Sequence, residues 1–157
     1  MARFNRKGTT KIKFLETIAD ANLLPTSAEI AAGTDYTEQI NAIDGWSIEN
    51  QPIETPDMAS TFVSKIDGDD SAADSSLTFY EDDSLSTIES DLAKGTSGFI
   101  CIFSKGDAPA AKGLDVFPVK VASCSKSYST DNEAAKVTVQ FVITDRPALN
   151  QTVPSGA

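Results

Sequence analysis

The chain has 157 residues, 40% of them hydrophobic and 23% charged, the proportions of one folded domain of ordinary size. A chain this long buries roughly 70% of its unfolded surface, so it needs neither a disulfide nor a metal to hold a core. It contains no histidine, which excludes Ser-His-Asp and Cys-His catalysis, histidine proton shuttles and most zinc sites. No apolar run approaches the ~20 residues that span a bilayer, and the basic start MARFNRKGTTKIKF lacks the apolar stretch and cleavage site of a secretory signal. The expectation is a cytoplasmically made, non-catalytic protein without a membrane segment.

Thirteen basic and 23 acidic residues give a net charge of −10, unevenly spread. Residues 1–13 hold Arg3, Arg6, Lys7, Lys11 and Lys13 and no acid, whereas residues 67–91 hold nine acids and no base. Tight nucleic-acid binding needs Lys and Arg to neutralise phosphates and release counterions, and this balance is the opposite. The plain reading is two solvated segments that aid solubility. The sharper reading is that the basic end and the acidic loop meet in a neighbouring copy.

In chain order, residues 10–17 (TKIKFLET) alternate as a strand with Ile12 and Phe14 on one face. Residues 26–33 read as a short helical turn capped by Thr26 or Ser27 and stopped at Gly33. Residues 40–49 predict one strand carrying the single tryptophan, Trp46. A long polar excursion over 50–75 follows, with short strand character at Ser60–Ile66. Residues 76–82 alternate again.

The segment 84–94 predicts a helix with a Ser86/Glu89 capping box, Leu85, Ile88 and Leu92 on its packing face and a stop at Lys94-Gly95. Residues 98–104 (GFICIFS) are apolar throughout, as in a strand covered on both faces. Residues 115–128 and 134–145 predict a long hairpin that needs a second surface to cover it, with Pro118 arguing for an edge or a bulge. The tail, residues 148–157, is expected to be mobile or bound to a partner. Together these elements predict a mainly β fold: a β-sandwich or small barrel with one packed helix, an N-terminal arm over 1–9 and a long loop over 50–75.

Chemistry is sparse. Cys101 and Cys124 are 23 residues apart in predicted strands, which is no CxxC, zinc spacing or disulfide framework. The acidic run from Asp67 fails as an EF-hand loop, having Ala72 where glycine is needed and Thr78 where a bidentate Glu belongs. The glycines form neither GxGxxG nor a P-loop, and the acids lie in polar sequence with no apolar pocket to raise a catalytic pKa. Trp46, Phe79 and Tyr80 fit a sugar platform less well than core packing. No metal, cofactor or catalytic residue is assigned.

The order of elements carries more than any motif. A strand near Trp46, a long acidic loop, the strand SLTFYED, the helix LSTIESDLAKG, the strand GFICIF and a hairpin ending at Arg146-Pro147 resemble the major tail tube proteins of long-tailed, non-contractile bacteriophages. The resemblance covers residues 10–147 and is strongest from Leu77 to Pro147. Some relatives append an immunoglobulin-like domain after this point, where only a short tail stands here.

The resemblance implies six-subunit rings, joined through their hairpins into one continuous barrel and stacked into a tube that conducts DNA. Such a ring would consume long edge strands that otherwise invite aggregation. It implies that the N-terminal arm and the long loop reach adjacent rings, placing Arg3, Arg6 and Lys7 against Asp67, Asp69, Asp70 and Asp74. A hydroxylated lumen wall would include Thr138, Gln140 and Thr144, or Thr78 on its own strand. The partners implied are further copies, a tape-measure protein, a tail terminator and tail tip proteins, with assembly in the bacterial cytoplasm and residence in the virion tail. DNA would pass without specific binding. The competing readings are a tube protein of a contractile or secretion machine, a monomeric β-sandwich binding carbohydrate and, last, an enzyme.

Overall fold

The computed structural model describes residues 2–81, 87–106, 108 and 111–154. Among them the strands are β1 (Lys11–Leu15), β2 (Thr34–Asp35), β3 (Ile40–Asp44), β4 (Ile48–Asn50), β5 (Ile53–Thr55), β6 (Ser64–Ile66), β7 (Asp70–Ala72), β8 (Ser75–Tyr80), β9 (Ser97–Phe103), β10 (Lys112–Ser127), β11 (Lys136–Ile143) and β12 (Ala148–Thr152). The α-helices are α1 (Ser27–Ala32) and α2 (Thr87–Asp91). The main sheet runs β2-β1-β9-β10-β11-β8-β3, with β12 added on β10, and all its pairings are antiparallel. The fold is mainly β, as expected, and consistent with a sandwich. It is not a closed barrel: among the described residues β2 and β3 end the sheet and do not pair.

Alternation along the strands sorts side chains into two cores. Ile12, Phe14, Leu77, Phe79, Ile100, Phe117, Val119, Val121, Val137, Val139 and Phe141 form the larger one. Leu15, Cys101, Phe103, Leu114, Val116 and Val153 form a second, against which Ile30 of α1 packs. β9 explains its own apolar run: Ile100 enters the first core while Cys101 and Phe103 enter the second. Each large aliphatic or aromatic side chain so buried contributes about 1.5–3 kcal/mol, before the entropy of ordering it is subtracted.

The helices close this scaffold. Thr26 caps α1 with a reciprocal box in which its hydroxyl accepts from the Glu29 N–H and the Glu29 carboxylate accepts from the Thr26 N–H. That carboxylate also accepts from the Ala19 N–H, and these backbone donors hold it below the usual Glu range. Ile88 in α2 and Leu92 just past its end are fully buried in the larger core, whereas Leu85 and Ser86 lie outside the described residues. Gly95 follows in the left-handed region (φ 93°) and donates its N–H to the Val121 carbonyl.

Four expectations need correction. Residues 40–49 are not one strand, because Gly45 (φ 85°) and Trp46 (φ 64°) take consecutive left-handed conformations and break it. Residues 50–75 are not an open loop but a projecting hairpin, built from the β4–β7 and β5–β6 ladders. The tail is not an unpaired extension over 148–152: β12 pairs with β10, and Val153 is buried.

Pro118 sits in a central strand, with Phe99 opposite it on β9, and the bulge falls later, between Val121 and Ser123. Its tolerance follows from position. On that side of β10 the β12 pairing ends at Val116 and the β11 pairing begins at Val119, so a missing N–H between them breaks no ladder bond. The carbonyl of Pro118 is used, accepting from the Thr144 N–H at 3.0 Å.

Both thiols are unbridged, with Cys101 fully buried and Cys124 half-buried. Burial pushes the Cys101 thiol up to about 12. Thiolate is the reactive form, so at pH 8 a thiol reagent is expected to modify at most Cys124 in the folded chain and both cysteines after denaturation. Two fast thiols in the native protein would contradict this packing.

Candidate assembly surface

The four strands β10, β11, β8 and β3 present a polar face opposite the larger core. Register places Ser123, Gln140, Ser76 and Asp44 in one row across them, and Ser125, Thr138, Thr78 and Ala42 in the next. The intervening rows hold Val139 with Leu77 and Val137 with Phe79, all fully buried. Period-two geometry therefore separates hydroxyls from core side chains along every strand. The hydroxyls bond across strands: Thr78 and Thr138 share a 3.4 Å contact, and the Ser123 hydroxyl donates to Gln140 Oε1 at 3.3 Å. Asp44 is the single formal charge in these two rows.

This face ends on two unlike edges. β3 is the last strand of the sheet. On the other side, β9 accompanies β10 only as far as Lys120, so among the described residues 122–127 of β10 have a strand partner in β11 alone. Unpaired strand edges are templates for further pairing. Between β3 and the N-terminal arm lies a groove of about 530 Å³, lined in part by Ile12, Ile40, Ile43, Tyr80, Arg6 and Lys7.

The projecting hairpin leaves the sheet between Asp44 and Ser75. Ile53 faces Ile66 across the β5–β6 ladder, and Glu54 faces Lys65 in a 3.9 Å ion pair. Met58 and Phe62 are 103% and 76% exposed, with Ile53, Val63 and Ile66 also exposed. Five exposed large apolar side chains on one hairpin make it a candidate contact surface. The sequence did contain the signal, since Met58 and Phe62-Val63 interrupt an otherwise polar run.

The residues named from sequence fall into three groups. Thr138, Gln140 and Thr78 share the polar face, whereas Thr144 does not; it lies beyond β11, its N–H and hydroxyl both directed to the Pro118 carbonyl. Arg3, Arg6 and Lys7 are exposed on the N-terminal arm, with the Arg6 guanidinium 5.7 Å from the Phe4 ring centroid. Asp67, Asp69 and Asp74 are exposed on the projecting hairpin or at its root, but Asp70 is engaged within its own chain. It accepts from Arg146 Nη2 at 2.9 Å and from Asn50 Nδ2 at 2.7 Å.

The Asn50 and Arg146 bonds hold the Asp70 carboxyl below the usual Asp range. A depressed carboxyl adds stability above its unfolded-state pKa and loses it as pH falls through the folded one, so this clasp survives mild acidification. Among the described residues no cluster of His, Cys, Asp and Glu is arranged to hold a metal ion. No helix among them is long and apolar enough to cross a membrane.

The described residues thus combine a two-core β fold with open sheet edges, a polar face and an apolar-tipped hairpin. The chain matches the family model described as phage tail tube protein over residues 1–156, and it belongs to that family. It is therefore a structural component of the virion tail.

Solved structures share the fold. A chain of the sheath/tube terminator of an extracellular contractile injection system, PVC, superposes with a TM-score of 0.67 at 13% identity, covering 94% of this chain and 97% of that one. A chain of the PVC sheath-tube complex gives 0.64 at 14% identity, with 92% and 89% covered. A chain from the tail of an empty GTA particle, refined helically with C6 symmetry, gives 0.56 at 13% identity, with 94% and 98% covered. A search of curated proteins finds no match.

Proposed function

We propose that this chain closes into six-subunit rings that stack into the hollow tail tube through which DNA leaves the particle. The observation that carries the proposal is the polar four-stranded face bounded by two unlike open edges. An edge that pairs only with a different edge makes a head-to-tail contact, and repetition of such a contact gives a ring where its rotation closes and an open filament where it does not. In this reading β3 of one copy continues the sheet along residues 122–127 of β10 in the next. The C6 symmetry of the GTA tail supports a six-subunit repeat.

Thr78, Thr138 and Gln140 then face the lumen, with Ser76, Ser123 and Ser125 beside them. The two hydroxyl rows offer phosphates no cation to displace counterions, and among the described strand residues the same face adds cations only at Lys120 and Lys136 in the flanking rows, the latter 3.8 Å from Glu133, so DNA is held weakly. The protein acts without catalysis, cofactor or membrane. Its partners in this reading are its own copies, the tape-measure protein, the tail terminator and the tail tip, joined in the host cytoplasm.

Stacking uses the extremes of charge. Arg3, Arg6 and Lys7 of one ring lie against Asp67, Asp69 and Asp74 of the next, with Asp70 reserved for its internal clasp. Exposed charges steer association over roughly 8–10 Å and are screened by salt. Tube growth followed by light scattering is expected to slow as ionic strength rises and to stop when residues 2–9 are deleted. Growth insensitive to both changes would remove the charge contact from the mechanism.

The contractile-system relatives favour a second reading, in which a sheath surrounds the same tube. Co-purification of particles with and without a contractile outer layer separates the two.

A further inference from the structure

The projecting hairpin, residues 48–72, makes few contacts with the main sheet outside its root. Its direction is nevertheless fixed at two points. At the root, Trp46 plugs into the body: its ring packs edge-on against Phe117 at 5.2 Å and tilted against Phe141 at 5.5 Å. Its indole Nε1 donates to the Ser76 carbonyl and its backbone N–H to the Ser75 hydroxyl. A side chain on Gly45 would meet the Asp74 carbonyl oxygen, so the two crossings into the hairpin are pressed together.

The second point lies farther out, on β7. There Asp70 takes the Arg146 guanidinium at 2.9 Å while Asn50 of the paired strand holds its other oxygen. Arg146 itself projects from a short strap pinned on both sides. Thr144 is bonded to the Pro118 carbonyl, and Pro147 is buried. Between plug and clasp is a cleft of about 200 Å³, lined by Ile48, Ala72, Ile143 and Pro147 among others.

We infer that Arg146 is a positioning residue, a strut that sets the angle of the projecting hairpin so that its apolar tip is presented to the next copy. The inference rests on the reading of that hairpin as a stacking contact. In this inference the root alone leaves a rotational freedom about the 45–47 and 73–74 crossings, and the clasp narrows it. Arg146 is 74% exposed and Asp70 32%, so the pair shifts a population rather than locking it. A weight of about threefold to fivefold is the scale for such an exposed pair.

The test measures hairpin and polymer separately. In Arg146→Ala, amide hydrogen exchange at 48–50 and 70–72 is expected to rise about threefold to fivefold, with β8 and β11 unchanged. Tube elongation slows by a similar factor. Arg146→Lys recovers part of both effects, and the reversed pair Asp70→Arg with Arg146→Asp recovers most of them. Wild-type exchange and elongation in Arg146→Ala, or no recovery in the reversed pair, would overturn the strut. If the wild-type chain never polymerises, the stacking reading fails, and the exchange measurement still decides whether Arg146 fixes the hairpin.

Discussion

Replacing Met58 and Phe62 together by aspartate is expected to abolish tube growth while leaving thermal unfolding of the free chain unchanged. Both side chains are almost wholly in water in the single chain, so the fold loses no packing when they go. Exposed substitutions of this kind alter stability by about 0.5 kcal/mol or less. At an interface the balance reverses. Apolar anchors that become buried on association each carry about 2 kcal/mol, and two of them amount to a factor on the order of a thousand in the association constant. The aspartates also add two negative charges to a chain already at −10. Sedimentation and electron microscopy read the assembly; calorimetry reads the fold. Tubes from the double variant at the wild-type rate would exclude the hairpin tip as a contact.

Trp46→Ala is expected to cost the free chain about 2–3 kcal/mol, because it removes a half-buried ring from between Phe117 and Phe141 together with its hydrogen bond to the Ser76 carbonyl. At about 2–4 °C per kcal/mol for a domain of this size, the midpoint falls on the order of 10 °C. A second substitution isolates the backbone. Trp46 lies at φ 64°, where glycine is free and other residues are strained, so Trp46→Gly should be more stable than Trp46→Ala by about 1 kcal/mol. Urea denaturation of the two variants checks the order. Alanine above glycine would show that the root is not left-handed.

What the sequence revealed depended on how local the cause was. The Thr26/Glu29 cap, the unbroken apolar run of β9 and the alternation in β11 are each decided within a few residues, and each could be read directly. Thr138 and Gln140 were placed on one face for the same reason, since the strand period carries them there with Thr78 opposite. Thr144 failed because the strand ends at Ile143, and the next residue is turned by a bond to Pro118 on another strand.

Longer-range causes were hidden. Pro118 looked like an edge residue because nothing local shows that two different strands share one side of β10. The tail looked unattached because its partner, the start of β10, lies more than 30 residues earlier. Trp46 looked like a strand residue because the pressure that bends its backbone comes from the neighbouring Gly45–Asp74 crossing. Asp70 was counted among the intermolecular acids because its partner Arg146 lies 76 residues away. The family itself was legible from the order of elements, which survives where residue identities do not.

The most direct measurement is a helical reconstruction by electron cryomicroscopy of the purified protein, concentrated and left to polymerise. Stacked six-subunit rings, with the Ser123–Gln140–Ser76 and Ser125–Thr138–Thr78 rows facing the lumen, are the predicted result. A chain that stays monomeric even with tail-tip complexes added, or a tube carrying that face on its outside, would contradict it.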